Sequence, residues 1–163
     1  MARPKNLLSD IKSVFKQTQH YNFCLEHGIN MRDRGGFTIP SYQRGIVWDE
    51  TQQIKFIESI WLGLPIGSYI YATDTFHTEN FLLDGQQRWN SIYRYIEDSF
   101  RVFDKLYSEL ESPDVLNFKS KLFPGYIAKD FSESDQREIY ERLAYGGTAN
   151  TKAQETGEVR KLK

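Results

Sequence analysis

The string Leu82-Leu83-Asp84-Gly85-Gln86-Gln87-Arg88-Trp89 joins a strand-like aliphatic run, through one glycine, to the start of a helical pattern. A strand that turns through glycine straight into a helix aims several unbonded backbone N–H groups, and the positive end of the helix dipole, at one place. Gly85 lets a ligand come close to the backbone. Arg88 stands one turn in, with a planar fork suited to an oxyanion. Gln86 and Gln87 add neutral donors, and Asp84 at the strand end suits a Mg²⁺ ion or the orientation of a water. The chemistry on offer is phosphate binding. The same residues equally describe a capped helix whose Arg88 pairs with a nearby carboxylate, and the string alone leaves both readings open.

A second group is Ile39-Pro40-Ser41-Tyr42-Gln43-Arg44, with Trp48 four residues on. Placed after a strand, it offers a phenol, an amide and a guanidinium on one loop, a set suited to base or sugar contacts and a second phosphate contact. Packing of the loop by Tyr42 and Trp48 is the simpler use of those aromatics. A third group, Arg142-Leu143-Ala144-Tyr145-Gly146-Gly147-Thr148, ends a helical pattern in paired glycines. That is most simply a C-cap, and alternatively a backbone nest for an anion.

The elements that must position these groups are legible from spacing. Leu7, Leu8, Ile11, Val14 and Phe15 fall on one helical face between Leu7 and Gln17. Glu26 to Gly36, with its three glycines, reads as a loop, and Phe37-Thr38-Ile39 as a short strand stopped by Pro40. Asp49 with Gln52 forms a capping-box pattern ahead of Ile54, Ile57 and Trp61, and Gly63 and Pro65 end that helix. Ser68–Ala72 and Asn80–Leu83 predict a hairpin. Trp89, Ile92, Tyr93 and Ile96 carry the helix after Gly85. Phe100 to Phe103 fits strand or helix, Glu109 to Phe123 a helix broken at Ser112-Pro113, and Ser132 with Asp135 caps a last helix carrying Ile139 and Leu143. The expected class is α+β: a single domain with a small mixed sheet packed with helices.

Composition narrows the function classes. The chain has 163 residues, 39% of them hydrophobic, and 11 Phe, 10 Tyr and 3 Trp make disorder along its whole length untenable. Lys and Arg number 21 against 22 Asp and Glu, a net charge of −1, so no global positive field draws it to nucleic acid. No apolar run reaches the roughly 18 residues of a membrane span, and the N-terminus lacks a signal-peptide pattern. One cysteine, Cys24, excludes an intramolecular disulfide, and His20, His27 and His77 have no metal-ligand spacing. A cytoplasmic protein is expected.

The three groups occur in the order Ile39-Pro40-x-Tyr42-Gln43-Arg44-x-x-x-Trp48, Asp84-Gly85-Gln86-Gln87-Arg88, Arg142-Leu143-x-x-Gly146-Gly147-Thr148. In this arrangement the chain resembles the N-terminal domain of the GmrSD-type restriction endonucleases, within the ParB/sulfiredoxin-like superfamily, over roughly residues 37 to 155. The resemblance implies a nucleotide-handling domain. By matching position, Asp84, Gln86, Gln87 and Arg88 are its candidate catalytic residues. Tyr42, Gln43, Arg44, Trp48, Gly85, Gly146, Gly147 and Thr148 are its candidate nucleotide-binding residues, with Asp84 a candidate Mg²⁺ ligand. Sulfiredoxins carry a cysteine inside Gly-x-x-Arg where this chain has Gln86 and Gln87, which excludes their chemistry. Ala144 stands where the family's third motif usually has asparagine.

The resemblance implies NTP binding, and NTP hydrolysis with Mg²⁺, in restriction of modified DNA. It divides the chain into a helix and loop at 1–36, the nucleotide-handling domain at 37–148 and a polar tail at 149–163. Family effectors carry a further nuclease domain, so action with a separate nuclease or defence protein, with DNA, or as a homo-oligomer is expected, with no membrane partner. The alternative is a non-enzymatic inhibitor or adaptor that binds a defence nuclease or DNA in an anti-restriction role.

Overall fold

The capping pattern at Asp49 forms as expected: its carboxylate accepts from the Gln52 N–H at 2.8 Å, and the Gln52 side chain accepts from the Asp49 N–H at 3.0 Å. The helix it starts belongs to a computed structural model that describes residues 18–73 and 78–145. These residues form strands β1 (Thr18–Tyr21), β2 (Tyr69–Thr73), β3 (Asn80–Asp84) and β4 (Gly125–Ala128). Their helices are α1 (Leu25–Asp33), α2 (Glu50–Trp61), α3 (Gln86–Ile96), α4 (Ser112–Ser120) and α5 (Glu133–Tyr145), with a 3₁₀ turn at Tyr107–Glu109. The fold is a small α+β domain.

The sheet runs β1-β4-β2-β3. β2 and β3 form the expected antiparallel hairpin, β4 joins β2 in parallel, and β1 closes the edge antiparallel to β4. The strand expected at Phe37–Ile39 is reduced to one parallel bridge, Thr38 against Phe81, on the outer side of β3. There the Thr38 N–H donates to the Asn80 carbonyl, and the Leu82 N–H to that of Thr38.

Alternation along the strands sends side chains to two cores. Tyr69, Tyr71, Leu82 and Ile127 face a large core with Leu25 of α1, Ile57 and Ile60 of α2, and Trp89, Ile92, Tyr93 and Tyr95 of α3. Ala72, Leu83 and Ala128 face a smaller one with Phe131 and Ile139, which α5 covers. The aromatic excess of the sequence sits in the first: Tyr69 meets Trp89 edge-on at 5.1 Å and Phe123 at 4.8 Å.

Three expectations are corrected. Glu26 to Gly36 is not a loop, because α1 runs through it to Asp33. Its buried face includes Gly28, and a Cβ there would fall 1.8 Å from the Trp89 ring, so the helix turns a glycine toward the core where an apolar side chain would have marked it. Pro113 does not break a helix but stands in the first turn of α4, where its missing N–H costs nothing. Phe100 to Phe103 is neither helix nor strand: Val102 makes an isolated bridge with Lys105, and Phe103 has φ 48°. Ser132 and Asp135 cap α5 reciprocally, as expected. The helix expected over Leu7–Gln17 and the polar tail lie outside the described residues. Among the described residues no helix is long and apolar enough to cross a membrane.

Candidate functional site

At the C-terminal end of β3 the strand register slips: Ile70 faces Asp84, but Tyr71 faces Leu82. Leu83 is therefore an extra residue, a bulge immediately before the Asp-Gly turn, and bulges re-aim the side chains that follow them. Gly85 then caps α3 in the left-handed region, with φ 96°. No side chain caps this end, so the first-turn N–H groups of α3 have neither an intrahelical partner nor a cap. Alanine cannot replace Gly85 cleanly, since its Cβ would meet Tyr69 Cβ at 2.7 Å.

Arg88 folds back along α3 toward this open end, as helical side chains do. Its Nη2 donates to Asp84 Oδ2 at 2.8 Å and its Nη1 to the Ile66 carbonyl at 3.4 Å. The guanidinium also presses on Gly67, where a Cβ would fall 2.5 Å from Nη1. Both readings of the sequence string are thus present together: Arg88 pairs with a carboxylate, and it lies beside an uncapped helix start. The Arg88 side chain is 20% exposed and that of Asp84 43%, so the pair opens to solvent.

The two glutamine-bearing motifs support this end of the chain. Gln43 is 5% exposed, and its amide nitrogen donates to the carbonyls of Leu82 and Leu83, at the bulge itself. It lies under its loop, turned to the β3 backbone. Gln87 binds the following stretch: its oxygen accepts from the N–H groups of Val47 at 3.0 Å and Trp48 at 3.2 Å, and its nitrogen donates to the Gly45 carbonyl at 3.1 Å. Trp48 packs on Phe56 of α2, and its carbonyl accepts from Gln53. Gln86, in the first turn of α3, is 7% exposed.

Tyr42 and Arg44 meet α5. The Arg137 guanidinium lies 4.8 Å from the Tyr42 ring centre, Tyr140 packs 5.3 Å away, and the Arg44 N–H reaches the Tyr140 hydroxyl at 3.4 Å. Burial, slightly offset by Arg137, pushes the Tyr42 hydroxyl up to about 12, so it stays protonated, and it is enclosed without a hydrogen-bond partner. The structure thus gathers the first motif, the second, and the helix leading to the third. Gly146, Gly147 and Thr148 lie outside the described residues.

Sequence reading missed Ile66 and Gly67, which support Arg88, and Arg137 and Tyr140, which back the loop. Gly67 stands in a Pro-Ile-Gly run just past the helix stop at Gly63 and Pro65, the one local signal available, whereas Arg137 and Tyr140 carry none apart from the fold. Among the described residues no three His, Cys, Asp or Glu side chains come together, so a Mg²⁺ ion here would be held by Asp84, whose Oδ2 also accepts from Arg88, together with the phosphates of a bound nucleotide.

Comparison with curated proteins and with solved structures returns no match. The family model described as GmrSD restriction endonuclease, N-terminal domain, matches residues 25–161. It begins at the first residue of α1, whose Leu25 is fully buried in the main core. The bulged strand, the glycine-capped helix and their flanking motifs thus sit in a restriction-system domain, and the chain belongs to the family of GmrSD restriction endonuclease N-terminal domains.

Proposed function

We propose that this domain binds nucleoside triphosphates at the open start of α3 and hydrolyses them. The observation that supports this most is the uncapped α3 terminus at Gly85 with the Arg88 guanidinium beside it. Phosphate oxygens accept from the first-turn N–H groups, which lie at the positive end of the helix dipole, and Arg88 clamps the terminal phosphoryl group. Asp84 steadies Arg88 and orients the attacking water. The water oxygen forms the new P–O bond, the anhydride P–O bond breaks, and nucleoside diphosphate, phosphate and the water's proton are released. Gln86 contacts the ligand, while Gln87 and Gln43 hold the loop and the bulge that shape the site.

The test is thermal unfolding of the wild type and of Arg88→Ala with ATP, GTP, CTP and UTP. A ligand at a hundred times its dissociation constant adds about 2.7 kcal/mol of stability. The expected result is a shift with at least one nucleotide that Arg88→Ala abolishes. An equal shift in the variant, or none with any nucleotide, rejects the reading.

A second reading, a non-enzymatic adaptor for a nuclease, is favoured by one separate observation. A groove of about 650 Å³ lies beside the Ile66–Ser68 stretch, and Leu64 (53% exposed) and Leu122 (56%) line it. Stable capture of a nuclease partner with no nucleotide turnover would select this reading, and charged substitution of Leu64 and Leu122 would then break the complex.

A further inference from the structure

The sheet face that carries Ala72, Leu83 and Ala128 beneath α5 continues toward the β1 edge. There His20 of β1 pairs in register with Tyr126 of β4, and Tyr126 with Ile70 of β2, so these three side chains share that face. The His20 and Tyr126 rings meet at 4.8 Å, and His20 is exposed. Beside them opens the groove of about 650 Å³, lined by His20, Leu64, Ile66, Leu122 and Tyr126 among others. Leu64 and Leu122 each expose more than half of their surface.

The chain enters this edge of the sheet from residues 1–17, which lie outside the described residues. Within them Leu7, Leu8, Ile11, Val14 and Phe15 fall on one helical stripe, with Ser9, Lys12, Ser13 and Lys16 opposite. A helix of this length is marginal alone in water and needs an apolar surface to stabilise it. Phe15 stands five residues before His20, so the chain holds it within roughly 17 Å of the groove wall. A segment tethered that closely meets its site at an effective concentration of about millimolar, well above a separate protein present at about micromolar. The family match starts at Leu25, so the stripe and β1 both precede it.

We propose that residues 7–17 dock as a helix along this groove of their own chain, burying the Leu7-to-Phe15 stripe against Leu64 and Leu122. The groove wall is also the seat of Arg88: the Ile66 carbonyl accepts from its Nη1, and its guanidinium presses on Gly67. The docked segment therefore bears on the stretch that supports Arg88, and ties the β1 edge to the start of α3. The docking itself does not rest on the nucleotide reading above.

The experiment follows amide exchange and urea unfolding of the full chain, for wild type, Ile11→Asp, Leu122→Asp, their double variant, and Leu116→Asp as control. Leu116 is 68% exposed and does not line the groove. In the wild type the amides from Ile11 to Phe15 should exchange at least about tenfold more slowly than in a free peptide. Leu122→Asp should abolish that slowing and lower the urea midpoint, while Leu116→Asp changes neither. The double variant should lose no more than the worse single one, because both remove the same contact. Unprotected amides in the wild type overturn the docking and leave the groove to a separate partner. Additive losses, or a Leu122→Asp protein that behaves like the control, overturn it too. Protection that fades on dilution as a dimer dissociates in light scattering overturns docking within one chain and gives the groove to the segment of a second copy.

Discussion

Arg88 and Asp84 face each other across one turn at the mouth of α3, 2.8 Å apart, with both side chains partly open to solvent. A pair this exposed contributes about 0–1 kcal/mol to folding. Its importance therefore lies in where it holds a guanidinium and a negative charge relative to an incoming phosphate.

Asp84→Asn should separate binding from turnover. It removes a negative charge next to the phosphate position, so nucleotide affinity should rise by a fewfold while phosphate release drops at least a hundredfold. Calorimetry and a phosphate-release assay on the same preparation check both. Weaker binding in Asp84→Asn would mean that the carboxylate serves only to hold Arg88.

The two supporting glutamines should differ in their cost to the fold. Gln43→Leu leaves the Leu82 and Leu83 carbonyls unpaired in a buried place, a loss of about 2 kcal/mol. Gln87→Ala releases a half-open loop and should cost about 1 kcal/mol, because water can replace its partners. Urea titrations measure both. Amide exchange at Val47 and Trp48 should quicken in Gln87→Ala alone.

Gly85→Ala should be severe. The left-handed backbone costs an alanine about 1–2 kcal/mol, and the overlap with Tyr69 Cβ adds to it, for a total on the order of 3 kcal/mol. A midpoint within a degree of wild type would show that the turn relaxes freely.

Acid should weaken the fold in two separate windows. His27 stacks on Phe23 at 3.5 Å, its Nδ1 lies 2.9 Å from the Tyr69 hydroxyl, and burial holds its pKa below the ordinary 6.5. The folded protein favours neutral His27, so its contribution is complete above pH 6.5 and is lost as pH falls below that value toward the depressed pKa. Asp98 and Glu109, held below their ordinary 3.8 and 4.5 by hydrogen bonds from Ser108 and Arg101, act only in stronger acid. Urea midpoints at pH 7.5 and 5.5 should differ for wild type and converge for His27→Phe. A difference that survives in that variant would move the titration to another group.

Local signals carried the reading where they act locally. The Asp49–Gln52 box, the β2–β3 hairpin and the glycine break before α3 depend on neighbours within a few residues, and all three formed. The misses are tertiary. α1 presents Gly28 to Trp89, so its buried face had no apolar mark. β1 and β4 are four residues each and gain stability only from pairing with one another and with β2. The amides of Gln43 and Gln87 look the same in sequence whether they meet a ligand or a backbone carbonyl, and only the course of the chain decides.

The sheet order β1-β4-β2-β3 also constrains how the chain can be made. β1 comes first among the described strands, yet it pairs there with β4, more than a hundred residues later. β2 and β3 can zip together early, and Gly85 with α3 follows directly from them. A nascent chain short of Gly125 has the whole Asp84–Arg88 element but lacks β4, the strand that joins the β2–β3 hairpin to β1. The catalytic candidates thus lie on the half of the sheet whose pairing is local in sequence, and the strand that joins the two halves is made after them.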